Sequence, residues 1–304
     1  MDNITILSAR VMSIPGNSSL HGINELMKPT AEPGIISRIM IISIDAHFDF
    51  TLPQLTDVAL QFEAASLPEQ RLIRCDTRLS PSEYFARIPA EDNIGERIML
   101  SADGFFSVDY SAEVEIDRIT APLGSLEALQ PHELPGEVFS YLMDSRYCQA
   151  DRFHSFVDDE FGATTGGARV LAIRDWIAGH FTYEPGSSTP ETTAMDSFIE
   201  RRGICRDYAH VLVTLARAST IPARFVSCFS PGVEPPDFHA VAEVFLADPT
   251  VAGGGAWHLV DATGMATPSD IVKIGVGRDA ADVSFLTTFG DSQFGNKTVA
   301  VSQT

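Results

Sequence analysis

The stretch RRGICRDYAHVLVTLARASTIP, residues 201–222, constrains this chain more than any other. Tyr208, Val211, Leu212 and Leu215 recur at helical spacing, and Pro222 forbids continuation, so a helix begins at or just before Cys205 and stops ahead of the proline. Three strand-like runs follow, ARFVSCF, FHAVAEVFL and WHLVDAT, separated by the turn-rich SPGVEPPD and ADPTVAGGGA. The order predicts a helix that carries a cysteine at its N-terminus, followed by strands able to pair antiparallel.

Upstream, TTGGARVLAIRDWIAGHF places Val170, Ile173, Trp176, Ile177 and Phe181 at helical spacing, with Thr164 or Thr165 available as N-cap and Trp176 assigned to the core. TAMDSFIERR predicts a second helix ending at Gly203. Residues 39–121 read differently. Ile44, Ala46, Phe48 and Phe50 alternate with Asp45, His47 and Asp49, and ERIMLSADGFFSVDYSAEVEID suggests strands turning at ADG. We expect an α+β chain: a loosely ordered extension over 1–38, a small β-sandwich over 39–121, a Pro/Gly-rich linker at 122–136 and a domain of mixed α and β over 137–304.

Composition narrows the function classes. At 304 residues, with 44% hydrophobic and 20% charged positions, the chain can bury one large or two modest cores. Its formal charge of −20 and the lack of any Lys/Arg run make nucleic acid and anionic membrane poor partners. The acidity itself is assigned to solubility. The N-terminus shows no basic region followed by an apolar run, and the most apolar window, GIISRIMIISIDAHF, is cut by Arg38 and Asp45, so a soluble, cytoplasmic protein is expected. Cys75, Cys148, Cys205 and Cys228 have no CxxC or Cys/His ligand spacing. We expect free thiols, no metal and no cofactor.

A thiol is a useful nucleophile as thiolate, which a helix N-terminus or a nearby cation favours. Cys205 has the first and Arg206 adds charge, while Asp207 suits the helix dipole. A lone cysteine is more often a buried, inert one. His210 is a tempting base, yet five residues along a helix turn a side chain by about 140°, so it is assigned to packing or a helix surface. His239 lies at the mouth of a strand on whose one face Val241, Glu243 and Phe245 also fall. If that strand pairs antiparallel with WHLVDAT around residue 250, His239 and Asp261 become cross-strand neighbours about 5 Å apart at Cβ. Each residue alone has an ordinary role in packing or turns. A helix-borne cysteine facing such a His/Asp pair has the members of a Cys-His-Asp triad.

GICRDYA, a following PAR, HA at 239–240 and WHLVDAT resemble the bacterial transglutaminase-like superfamily of cysteine proteases, as do SRYCQAD (145–151), DWIAGHFTYEPGSS (175–188) and VGRDAADV (276–283). The β-rich segment resembles the domain that precedes this core in the bacterial branch. The resemblance implies a papain-like core, with Cys205 as nucleophile, His239 as base and Asp261 as orienting acid. The backbone N–H of Cys205 would serve the oxyanion, with Tyr183 a candidate second donor. Cys228 departs from the small residue common at its position and is assigned to packing. The implied activity is hydrolysis of amide or isopeptide bonds of a peptide or protein through a thioester. Two alternatives share these residues: a transglutaminase that passes the acyl group to an amine, and a noncatalytic scaffold that keeps the fold. Neither substrate identity nor oligomeric state follows from the sequence.

Overall fold

The computed structural model describes residues 39–118, 120–251 and 254–304; the extension expected over 1–38 lies outside the described residues. The first sheet is built on two strands of 21 residues, β1 (Met40–Leu60) and, after β2 (Gln70–Leu79) and β3 (Tyr84–Pro89), β4 (Glu96–Ile116). β1 and β4 pair antiparallel along nearly their whole length, with one register shift between Leu52 and Thr56. β2 pairs with the second half of β4 and β3 with its first half. The β-rich unit is thus two leaves that share their long central strands.

The ADG hairpin expected within this segment is not there: β4 runs straight through it. Even-numbered residues are buried on both sides, Ile98, Leu100 and Ala102 before and Phe106, Val108 and Tyr110 after, so the face does not change. Gly104, at φ +68°, supplies a bend opposite Leu52, where β1 shifts register. A positive φ of this kind favours glycine.

The chain then builds the helical layer. α1 (His154–Phe161) and α2 (Gly166–His180) lead to a short β5 (Thr182–Tyr183); α3 (Ala194–Glu200), a short β6 (Arg202–Gly203) and α4 (Cys205–Ala218) follow. Every residue of α4 except Arg206 is buried, as expected of a helix covered on all sides. Its Leu212, Leu215 and Ala216 share a core with Ile173 and Ile177 of α2.

The second sheet comprises β7 (Ala223–Phe229), β8 (His239–Ala247), β9 (Gly255–Val260) and β10 (Val272–Gly277), in the antiparallel order β10-β7-β8-β9. Ala242, Val244 and Leu246 of β8 meet α4 on one face. On the other side of this sheet, Phe229, Val272 and Ile274 enter the core of the first sheet with Phe48, Phe62 and Tyr110.

Two expected boundaries are corrected. The last strands, β11 (Leu286–Thr288) and β12 (Gln293–Gln303), pair antiparallel with β1, so the segment 137–304 is not a separate domain. Alternating apolar residues such as Val299 and Val301 complete the core face of β1 rather than that of the second sheet. The Pro/Gly-rich segment at 122–136 does not hang free either. Gly167 N donates to Leu126 O (2.8 Å), Ala247 N to Glu127 O (2.8 Å), and Leu123 and Leu126 pack on the core beneath α2. A Cβ on Gly167 would lie 1.7 Å from Leu123 O, which explains a glycine in the first turn of α2.

A buried ion cluster ties the layers together. Glu243 on β8, fully buried, takes Arg224 of β7 (Nη2 to Oε2, 2.7 Å) and Lys273 of β10, while Arg224 also reaches Asp92 (2.7 Å) and lies over the Trp257 ring (4.1 Å). Burial works against the Glu243 carboxylate, but the two cations hold its pKa at about 2. Glu243→Leu removes the buried anion that the two cations share and leaves Arg224 with Asp92 and Lys273 with Glu69 (3.5 Å), an expected cost of up to about 3–5 kcal/mol, readable as a drop in the urea midpoint. Because the folded pKa is depressed, this contribution is complete above the unfolded value of about 4.3 and is lost as pH falls toward 2.

Candidate active site

The start of α4 is held from three sides. Ile204 is the N-cap residue, and its N–H donates to the Asp207 carboxylate one turn on (2.8 Å). Asp207 is fully buried, which pushes its pKa up against that bond and the nearby Ser188 and Arg206. A Cβ on Gly203 would meet Asp207 Cβ at 2.5 Å. That contact explains the glycine, whereas the stop expected of it for α3 is made by Arg201, at φ +57°. Arg206 turns outward and donates to Thr189 O (2.9 Å) and Thr192 O (2.7 Å), fastening the loop over 184–192 to the helix start.

These constraints leave the Cys205 side chain at the first turn of α4, against Ala209, Phe225, Ala240 and Val283. It is 9% exposed where Cys148 and Cys228 are at 0%, so among these three it alone can be reached from solvent. The parallel pairing of β5 with β6 sets Tyr183 opposite Gly203, two residues before Cys205. Burial raises the Tyr183 phenol pKa, and charge at Cys205 raises it further against the Cys205 backbone N–H. The hydroxyl therefore stays protonated and can donate.

His239 opens β8 immediately after Phe238, whose carbonyl is 4.0 Å from Cys205 Sγ. Phe238 is itself wedged into the first sheet's aromatic core, stacked on Phe285 (4.8 Å between centroids) and edge-on to Phe48. The first sheet thus sets where β8 begins. His239 Nε2 donates to Asp261 Oδ2 (3.1 Å), both side chains being essentially buried. His239 Nδ1 has no hydrogen-bond partner among the described residues, and Cys205 is the other group acting on the ring. Burial disfavours the imidazolium, yet the bond to Asp261 and the Cys205 side chain outweigh it and raise the pKa to about 9.

Asp261 is held by more than the histidine. Its Oδ1 accepts from Thr263 N and Oγ1 (2.7 Å each) and its Oδ2 from Ala266 N (2.8 Å). Burial opposes the carboxylate, but these bonds and His239 keep its pKa below the usual range. The D-x-T spacing is an Asx-type turn that also aims the acid. Thr263 and Ala266 are absent from the sequence reading, although the D-x-T pattern carried the signal for the first.

The expected pairing of β8 with β9 differs by two residues. Glu243 faces Leu259 and Ala242 faces Val260, so paired numbers sum to 502 in place of 500. An even slip preserves the face, and His239 meets Asp261 diagonally from beyond the end of β9. The structure therefore brings Cys205, His239, Asp261 and Tyr183 together. His210 is elsewhere: fully buried, stacked on Tyr147 (5.1 Å), accepting from Ala280 N at Nε2 (3.1 Å), its pKa lowered well below 6.5 by burial and by Arg206 and Arg217. Cys228 pairs with His239 across β7 and β8, fully buried, with burial pushing its thiol pKa well up. Among the described residues no group of three or more His, Cys, Asp or Glu is placed to hold a metal ion, and no helix is long and apolar enough to cross a membrane.

A family model of the transglutaminase-like superfamily matches residues 155–262, which include Cys205, His239 and Asp261. A solved structure from Cytophaga hutchinsonii, described as a "Putative Cysteine Protease", superposes with a TM-score of 0.80 at 30% identity, over 88% of this chain and 91% of that one. The chain belongs to the transglutaminase-like superfamily. Its relatives include uncharacterized proteins of Mycobacterium leprae, 29% identical over 122 residues, and of Mycobacterium tuberculosis, 32% identical over 125. Each of those matches takes in 38% of this chain, and the chain spans 42% and 38% of these relatives' lengths. This transglutaminase-like chain combines antiparallel sheets with a few helices.

Proposed function

We propose that the chain is a thiol hydrolase that cleaves amide or isopeptide bonds of a peptide or protein. One observation carries the reading. With His239 Nε2 engaged by Asp261 at 3.1 Å, Nδ1 is the ring nitrogen left to exchange a proton with Cys205 at the start of α4. In this mechanism the Cys205 thiolate attacks the carbonyl carbon, and the oxyanion is met by the Cys205 N–H with the Tyr183 hydroxyl as second donor. His239, as imidazolium, gives its Nδ1 proton to the leaving amine. The thioester remains. Neutral His239 then takes a proton from water, which attacks the thioester and releases the acid and the thiolate. Asp261 stabilises the imidazolium without itself taking the proton.

Hydrolysis is preferred to transfer because the Cytophaga protein, similar over nine-tenths of its length, is described as a protease. Incubation with a glutamine-containing peptide and a labelled primary amine tests the choice. The expected result is release of a free carboxylate without incorporation of the amine. Stable incorporation would make the protein a transglutaminase; neither product, from a panel of peptide amides and isopeptides, would make it a scaffold.

A further inference from the structure

Among the described residues β9 is the edge of its sheet, paired to β8 on one side. Its outer edge borders a cavity of about 640 Å³, lined by residues of both parities from Ala256 to Asp261, so the strand's backbone edge as well as its side chains faces the space. Cys205 and His239 are not among the lining residues, although Asp261 is. Arg118 lines it too, and its side chain is 10% exposed. Arg118 spends Nη1 on Pro268 O and Ile271 O (2.8 Å each), while Nε and Nη2 have no hydrogen-bond partner among the described residues; Glu69, at 4.0 Å from Nη2, forms an ion pair too long for one. Buried guanidinium N–H groups seldom go unmatched. Nε and Nη2 form the side-on edge of the fork, the same pair through which Arg71 grips both oxygens of Glu115. Of the other acids of this wall, Glu243 is already taken by Arg224 and Lys273, Asp261 is held by His239 and the Ala266 N–H, and Asp117 is exposed.

We infer that this cavity is a second binding site, which takes an extended peptide segment bearing a carboxylate: the peptide adds to β9 as a fifth strand and its carboxylate forks onto Arg118. A strand edge supplies affinity through main-chain bonds and a neighbouring pocket supplies selectivity. A planar bidentate fork suits a carboxylate better than a neutral amide. The chain's charge of −20 repels anions at long range, so the preference is local to Arg118. The inference does not depend on thiol chemistry, and it is tested with a chain that cannot turn over its ligand.

In the full-length Cys205→Ala protein, binding of labelled Val-Thr hexapeptides is measured by fluorescence anisotropy, with a free C-terminus, with a C-terminal carboxamide, and with a carboxamide plus one internal glutamate. At least one carboxylate peptide is expected to bind roughly ten- to a hundredfold tighter than the plain carboxamide, and which one identifies a terminal or a side-chain source. Hydrogen exchange at Ala256–Val260 is expected to slow on binding. Arg118→Gln erases the preference for the carboxylate, so that carboxylate and carboxamide peptides bind alike. Arg118→Lys, which keeps the charge without the fork, and Leu171→Trp, which fills the cavity from α2, serve if Arg118→Gln does not fold; the first removes most of the preference and the second blocks all three peptides. Equal binding of carboxylate and carboxamide, no binding at millimolar peptide, or an unchanged preference in the Arg118 variants would overturn the inference. So would glutarate that binds as tightly as the best peptide with no protection of β9.

Discussion

Cys205→Ala is expected to reduce turnover to background, a loss of roughly a millionfold if the thiol and its base act as a unit as nucleophile and base do in other hydrolases. The same change alters what iodoacetamide can reach. Cys148 and Cys228 are fully buried, and burial pushes the Cys148 thiol up to about 12, so neither reacts in the folded state. Cys75 is exposed on β2 and gives a slow adduct in any variant. The native protein should therefore show two adducts by intact mass, one of them fast, and Cys205→Ala a single slow one. Cys228→Ala serves as the control: it removes a thiol paired with His239 in the strand register and should leave both adducts in place. The proposal fails if Cys205→Ala keeps the rate of the parent. It also fails if the fast adduct of the parent maps to Cys75.

Much of this arrangement was legible because the patterns involved are local. The α4 stripe, Pro222 and the three strands each announce themselves within about a dozen residues, and side-chain parity in a strand survives a two-residue error in register. That is why His239 and Asp261 could be paired from spacing although their partners in the ladder were displaced. The misreadings share a cause. A glycine at ADG or at position 203 looks like punctuation, but Gly104 serves a left-handed bend where β1 shifts register across the sheet, and Gly203 makes room for the Asp207 side chain one helical turn on. β12 could not be assigned to the first sheet because its partner, β1, lies some 250 residues earlier and nothing in QFGNKTVAVSQ names it. Arg118 was invisible for the same reason. An arginine in a strand-to-linker passage reads as surface until the fold closes a wall around it.

The two sheets have a division of labour that bears on the site. α4 fixes Cys205 through its cap and its buried flanks, whereas His239 depends on where β8 starts. Phe238 makes that start a property of the first sheet, since its ring is held by Phe48 and Phe285. The β-rich unit is therefore part of what positions the histidine, beyond any role it has toward partners.

Asp261→Asn should separate positioning from mere folding. On the proposed mechanism, the neutral amide no longer stabilises the imidazolium, and turnover is expected to fall roughly a thousand- to ten-thousandfold. The amide also fits badly: with its NH2 at the Oδ1 place it faces the Thr263 N–H, and at the Oδ2 place it faces His239 and the Ala266 N–H. At least one donor is left unmatched either way, at a cost of about 1–3 kcal/mol each, so stability must be measured beside activity. The pH profile distinguishes the two effects. In the parent, His239 is held protonated to about pH 9, so kcat/KM toward an amide should fall as pH rises through 9, when the leaving amine loses its acid. The same raised pKa contributes stability that is complete below the ordinary histidine value of about 6.5 and is lost as pH climbs through 9. In Asp261→Asn the largest stabilising contact of the imidazolium is gone, and the alkaline limb should move down toward 6.5 by a unit or more, roughly, along with the alkaline loss of stability. A purely structural role for Asp261 predicts a lower melting temperature with the limb still near 9, and that outcome would remove it from the proposed triad.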